Sequence, residues 1–90
     1  MPYNVQITVK EIQGAGKCSL GIKPGDSWLI DGEWTPERFC AWALHSLLPI
    51  ITVLQYGGEL PWEKNKDMAV ACCLDPNSPV VFELKRLPKA

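Results

Sequence analysis

From Tyr3 to Ile12 the chain alternates, with Tyr3, Val5, Ile7 and Val9 on one side and Asn4, Gln6, Thr8 and Lys10 on the other. A period of two rich in β-branched residues predicts a half-buried strand. Gly14, Gly16 and Gly21 then loosen the chain, and Lys23-Pro24-Gly25-Asp26 reads as a turn, proline presetting φ and glycine accepting a positive φ. Ser27 to Ile30 predicts a short second strand, closed by Asp31-Gly32. Beyond it the period lengthens. Cys40, Ala43, Leu44, Leu47 and Ile51 fall within an arc of about 100° on a helical wheel. Thr35 as cap, Pro36 at the first helical position and Glu37 at the positive end of the dipole predict a helix over Thr35–Leu48. Pro49 should end or kink it. Ile50 to Tyr56 reads as a second helical piece, with a strand as the alternative, and Gly57-Gly58 stops it. Met68–Leu74 and Val80–Leu87 read as two further strands, joined by Asp75-Pro76-Asn77-Ser78-Pro79. The order β-β-α-(α)-β-β predicts an α+β fold: a small antiparallel sheet of about four strands with one helical layer on it.

Ninety residues allow one domain, spanning residues 1–90. Hydrophobic residues at 47% and charged residues at 21% are the balance of a globular chain, not of a disordered one. A formal net charge of −1, with no tight cluster of Lys and Arg, argues against nucleic-acid and anionic-membrane partners. The longest apolar stretch, Leu47–Leu54, is broken by Pro49 and Thr52 and is too short to span a bilayer. The first residues lack the basic-then-apolar pattern of an export signal, so the expectation is a cytoplasmic protein whose four cysteines stay reduced.

Those cysteines are the main candidates for chemistry. Cys40 lies in the middle of the predicted apolar helix face. It reads either as a small buried hydrophobe or as a thiol at a helix N-terminus. Cys72 and Cys73 are adjacent in a predicted strand and should point to opposite faces. Cys72 shares a face with Met68, Val70 and Leu74, which reads as core, while Cys73 shares the other with Ala69 and Ala71. Cys18 sits in the glycine-rich loop beside Lys17, where a thiol is more accessible. No C-x-x-C pair signals a metal knuckle. A thiolate site for a metal ion would have to come from Cys18, Cys40 and one of Cys72 or Cys73 brought together by the fold.

On the predicted helix Arg38, Trp42 and His45 stand at i, i+4 and i+7, opposite the apolar stripe. Either the loop around Trp62 covers that tryptophan, or the patch is an interface of a homo-oligomer or small complex. With one histidine and no serine or aspartate at a telling spacing, no catalytic triad is signalled.

The chain resembles an uncharacterised family of small prokaryotic proteins of about this length. The motifs that carry the likeness are Cys18-x-x-Gly21-x-x-x-Gly25-Asp26, Cys40-Ala-Trp-Ala-Leu-His45-x-Leu-Leu-Pro49, Tyr56-Gly57-Gly58-x-x-Pro61-Trp62-Glu63, and Cys73-x-Asp75-Pro76 through Pro79-Val-Val-Phe-Glu-Leu84. They cover nearly the whole chain. The resemblance implies kinship without a reaction. Members commonly carry a histidine one residue after the glycine matching Gly21, where this chain has Ile22. If that histidine belongs with Cys18 and Cys40 in a metal site, the resemblance implies one ligand fewer here.

The residues thus predict a small cytoplasmic binding protein with a cysteine-centred site for a metal or small ligand. The alternatives are an interaction or accessory subunit whose cysteines only pack, and a small oligomeric enzyme acting through a Cys18 thiolate.

Overall fold

The computed structural model describes residues 2–88. Its elements run β1 (Val5–Ile12), β2 (Ser27–Ile30), α1 (Ala41–Gln55), β3 (Met68–Cys72) and β4 (Val80–Arg86). The four strands form one antiparallel sheet in the order β2-β1-β4-β3. The α+β class and the single helical layer are those expected from the hydrophobic periods. β1 and β4 hold the centre, with Val5 opposite Arg86 and Ile7 opposite Leu84. The register shifts by one between Val9 and Glu11, so Lys10 is the extra residue of a bulge. No helix among the described residues is long and apolar enough to cross a membrane.

The core lies between α1 and one face of the sheet. Val5, Ile7 and Val9 of β1, Phe82 and Leu84 of β4, and Leu47, Ile51 and Leu54 of α1 are buried there. Trp28, Phe39 and Phe82 close one end of it in edge-to-face contacts, with ring centroids 4.8 to 6.4 Å apart.

Three expectations are corrected. The helix begins at Ala41, six residues later than predicted. Thr35, Pro36 and Glu37 have good helix-start chemistry, yet Phe39 must reach the aromatic cluster. Arg38 accordingly adopts a left-handed φ of 58° and Cys40 an extended conformation. Partial burial of Phe39 together with its two edge-to-face ring contacts is worth about 2 kcal/mol, more than an N-cap on an exposed extra turn typically supplies. Second, the helix does not end before Pro49: the helical reading of Ile50 to Tyr56 holds through Gln55, but as a continuation of α1 with Pro49 inside it. Proline there is exposed, so the His45 carbonyl it leaves without a donor can be hydrated. Leu47, Ile51 and Leu54 keep the stripe buried on both sides of it.

Third, the faces of β3 are the reverse of those expected. Ala69 is buried and Ala71 and Cys73 pack against the core, whereas Val70, Cys72 and Leu74 are exposed. The reason is the closeness of α1. Ser46 Oγ donates to the Cys72 carbonyl at 2.9 Å, and only small side chains fit beneath a helix held that near. The outer edge of β3 is guarded by Glu63, whose carboxylate accepts the Val70 N–H at 3.1 Å.

The far end of α1 is tied down by residues the sequence pattern does not single out. Arg86 Nη1 donates to the carbonyls of Leu54 and Gly58, both at 3.1 Å, and Nη2 to that of Lys66 at 2.8 Å. Its guanidinium also pairs with Asp67 at 3.0 Å and lies over the Tyr3 ring. Gln55, which faces inward, donates to the Gly32 carbonyl, and Asn4 Oδ1 accepts the Gly32 N–H at 2.8 Å. A cation at the helix C-terminus and two amides thus bind the β2–α1 connection and the helix end to the sheet.

Candidate functional site

The opposite, N-terminal end of α1 opens on a cleft of about 320 Å³. Three separate segments build it. The glycine-rich loop supplies Cys18, Ser19 and Leu20, the helix start supplies Cys40, Ala41 and Trp42, and the β3–β4 connection with the first residue of β4 supplies Cys73, Asp75, Ser78 and Val80.

Two loops must lie together for this to happen, and a glycine permits it. The Gln13 N–H donates to the Pro79 carbonyl at 2.9 Å and the Ala15 N–H to the Asn77 carbonyl at 2.9 Å. Gly14 between them has a φ of +64°, and a side chain there would overlap the Asn77 carbonyl oxygen. Only glycine allows that contact, which brings Cys18 against the loop carrying Ser78. Cys73 is fixed by β4: its N–H donates to the Val80 carbonyl at 3.0 Å, and its sulfur accepts the Val80 N–H at 3.3 Å. Asp75 accepts the Asn77 N–H through Oδ1 at 2.9 Å, which shapes the loop.

Cys40 is the N-cap residue of α1. Its carbonyl takes the first helical bond, from Leu44 N–H at 2.9 Å, and no side chain caps the helix. The first turn contains no acidic residue. Among the described residues the N–H groups of Ala41, Trp42 and Ala43 have no acceptor. These are the orphan donors every helix start leaves, and two of their residues, Ala41 and Trp42, line the cleft.

Of the predicted thiols, Cys18, Cys40 and Cys73 therefore come together, all three half-buried. Cys72 does not; it is exposed on the opposite face of the sheet. Among the described residues no three of His, Cys, Asp and Glu stand close enough to hold one metal ion. The sulfurs share a cleft without forming a ready-made coordination sphere. Ile22 borders a neighbouring hollow of about 340 Å³ on another side of Cys18.

The expected helix-face patch is not assembled as drawn. Arg38 precedes the helix, so its i, i+4 relation to Trp42 is lost. Trp42 and His45 do lie on α1, both exposed, and Trp42 walls the thiol cleft with 62% of its surface still accessible. The Trp62 loop does not cover it, Trp62 being 66% exposed itself. Ser78 and the free N–H groups of α1 carry no sequence signal as site residues; only the fold brings them to the thiols. No family model matches this chain, and neither does any curated protein or solved structure.

Proposed function

We propose that this chain is a small binding protein whose cleft captures a small thiol-seeking molecule through Cys18, Cys40 and Cys73. One observation carries the reading: three of the four cysteines, from positions far apart in the chain, line one cleft. Leu20, Trp42 and Val80 give it apolar walls and an aromatic face, the usual make-up of a small-molecule site. A soft electrophile suits this arrangement better than a metal ion, because sulfurs around a cleft can be engaged one or two at a time. Membership of the resembled family of small prokaryotic proteins and residence in the reducing cytoplasm belong to the same proposal.

The test uses phenylarsine oxide, whose trivalent arsenic condenses with two neighbouring thiols to form two As–S bonds and release one water. The reduced protein should take up one equivalent and lose two of its four titratable thiols. Single replacements Cys18→Ser, Cys40→Ser and Cys73→Ser identify the pair, and Cys72→Ser should leave uptake unchanged. Uptake that depends on Cys72, or none at all, sinks the reading.

A second reading is favoured by Trp42 and Leu20, which rise exposed at the cleft rim. A homo-oligomer or small complex that buries Trp42 would use them as anchors. Sedimentation of wild type against Trp42→Ala over a range of concentrations tests it; equal sedimentation of the two as monomers refutes it.

A further inference from the structure

The thiols occupy only part of the cleft. Beside them Ser78 lines it with a polar side chain that is otherwise buried, the residue being 4% exposed. Its hydroxyl has no hydrogen-bond partner among the described residues. Yet no polar side-chain atom of those residues is both sealed from solvent and unpaired, so the Ser78 hydroxyl is open to solvent, and its residue lines the cleft. Next to it the cleft wall is the start of α1, a helix of 15 residues with uncapped Ala41, Trp42 and Ala43 N–H groups and no acid in its first turn. A hydroxyl without a partner on a largely buried residue and a helix N-terminus without a cap both leave donors unfilled. The same missing partner, an oxyanion, would satisfy them together.

We propose that the cleft contains an oxyanion subsite, formed by the N-terminal N–H groups of α1 and the Ser78 hydroxyl, that takes the carboxylate of a small apolar acid. This rests on the ligand-binding reading of the thiol cleft and names the class of molecule bound: an organic acid whose body lies against Trp42 and the sulfurs. Asp75 decides between carboxylate and phosphate. Its Oδ1 is held by the Asn77 N–H, but its negative charge still borders the cleft. A dianion meets about twice the repulsion of a monoanion from that charge, so the carboxylate is favoured.

The experiment is a 15N-amide NMR titration of the whole reduced chain at low salt, with benzoate, its neutral counterpart benzamide, and phenylphosphonate. Benzoate should shift the amides of Ala41, Trp42 and Ala43 in a saturable way and bind at least roughly fivefold more tightly than benzamide, on the strength of charge-assisted bonds at a helix start. Ser78→Ala should weaken benzoate several-fold and leave benzamide unchanged. Asp75→Asn, which keeps an acceptor for Asn77, should strengthen phenylphosphonate more than benzoate. Absent or non-saturating shifts, equal affinity for benzoate and benzamide, or an unaltered benzoate affinity in Ser78→Ala overturns the subsite. Tighter binding of phenylphosphonate than benzoate overturns the choice of carboxylate. None of these readouts involves a sulfur bond, so the subsite and the arsenical test of the thiols fail or succeed separately.

Discussion

Replacing Arg86 by methionine should be among the most damaging single changes to this fold outside the apolar core. Methionine keeps much of the aliphatic stem and removes every donor. The side chain is 9% exposed, so what it loses is lost in a poorly hydrated place. The Asp67 pair contributes little, because that carboxylate is 65% exposed and hydrates readily; a pair of this kind is worth about 0–1 kcal/mol. The Lys66 carbonyl lies in exposed surroundings and also finds water. The Leu54 and Gly58 carbonyls are different. Both are part-buried and lie at the end of α1, where the helix already has orphan acceptors. Each loses a bond to a charged donor, about 1–1.5 kcal/mol apiece after discounting for partial hydration. The contact with Tyr3, 5.3 Å from the guanidinium carbon to the ring centroid, adds about 0.5 kcal/mol. The sum is about 3 kcal/mol, lowered somewhat by the apolar burial of methionine. At about 4–8 °C per kcal/mol for a domain of this size, the melting temperature should fall by roughly 10–20 °C. Thermal and urea unfolding followed by circular dichroism and tryptophan fluorescence measure it. Arg86→Lys should recover less than half, since one ammonium cannot span acceptors on both sides of a planar fork. A loss below about 1 kcal/mol for Arg86→Met would refute the view that this cation anchors the helix end.

Pro49→Ala should raise stability by about 1–2 kcal/mol in urea melts, by restoring a helical bond to the His45 carbonyl against a small gain of unfolded-state freedom. Gly14→Ala should cost about 2 kcal/mol or more and make Cys18 react faster with iodoacetamide, because the loop must leave Asn77; Gly16→Ala, with open space around it, should cost about 1 kcal/mol. Ala71→Leu should destabilise by about 1–3 kcal/mol by forcing α1 off β3, whereas Cys72→Val on the outer face should fall within about 0.5 kcal/mol of wild type.

Much of this architecture follows from local pattern. Alternation over Tyr3–Ile12 and the turn at Lys23–Asp26 place β1 and β2, and Ser27–Ile30 is recovered with the bounds read from the sequence. The apolar stripe through Ala43, Leu47 and Ile51 places the helix and its buried side, because a period of 3.6 or 2 is a property of neighbours in the chain. Where the reading missed, a distant partner had overruled a local preference. Thr35-Pro36-Glu37 is a good helix start, but Phe39 is claimed by Trp28 and Phe82. Pro49 reads as a break between two helical pieces, but burial on either side joins them into one. Alternation along β3 puts Cys72 and Cys73 on opposite faces without saying which face is inward; Ser46 and the nearness of α1 decide that. The site depends still more on long-range geometry. Cys18, Cys40 and Cys73 are visible in the sequence as thiols, yet their meeting requires the Gly14–Asn77 contact and the pairing of β4 with both β1 and β3. Ser78 looks like one more turn residue until the loop that holds it is laid beside the start of α1. Local periodicity determines the elements because their bonds close within a few residues, and only the packed structure decides the cleft because its walls come from segments some 20 to 60 residues apart.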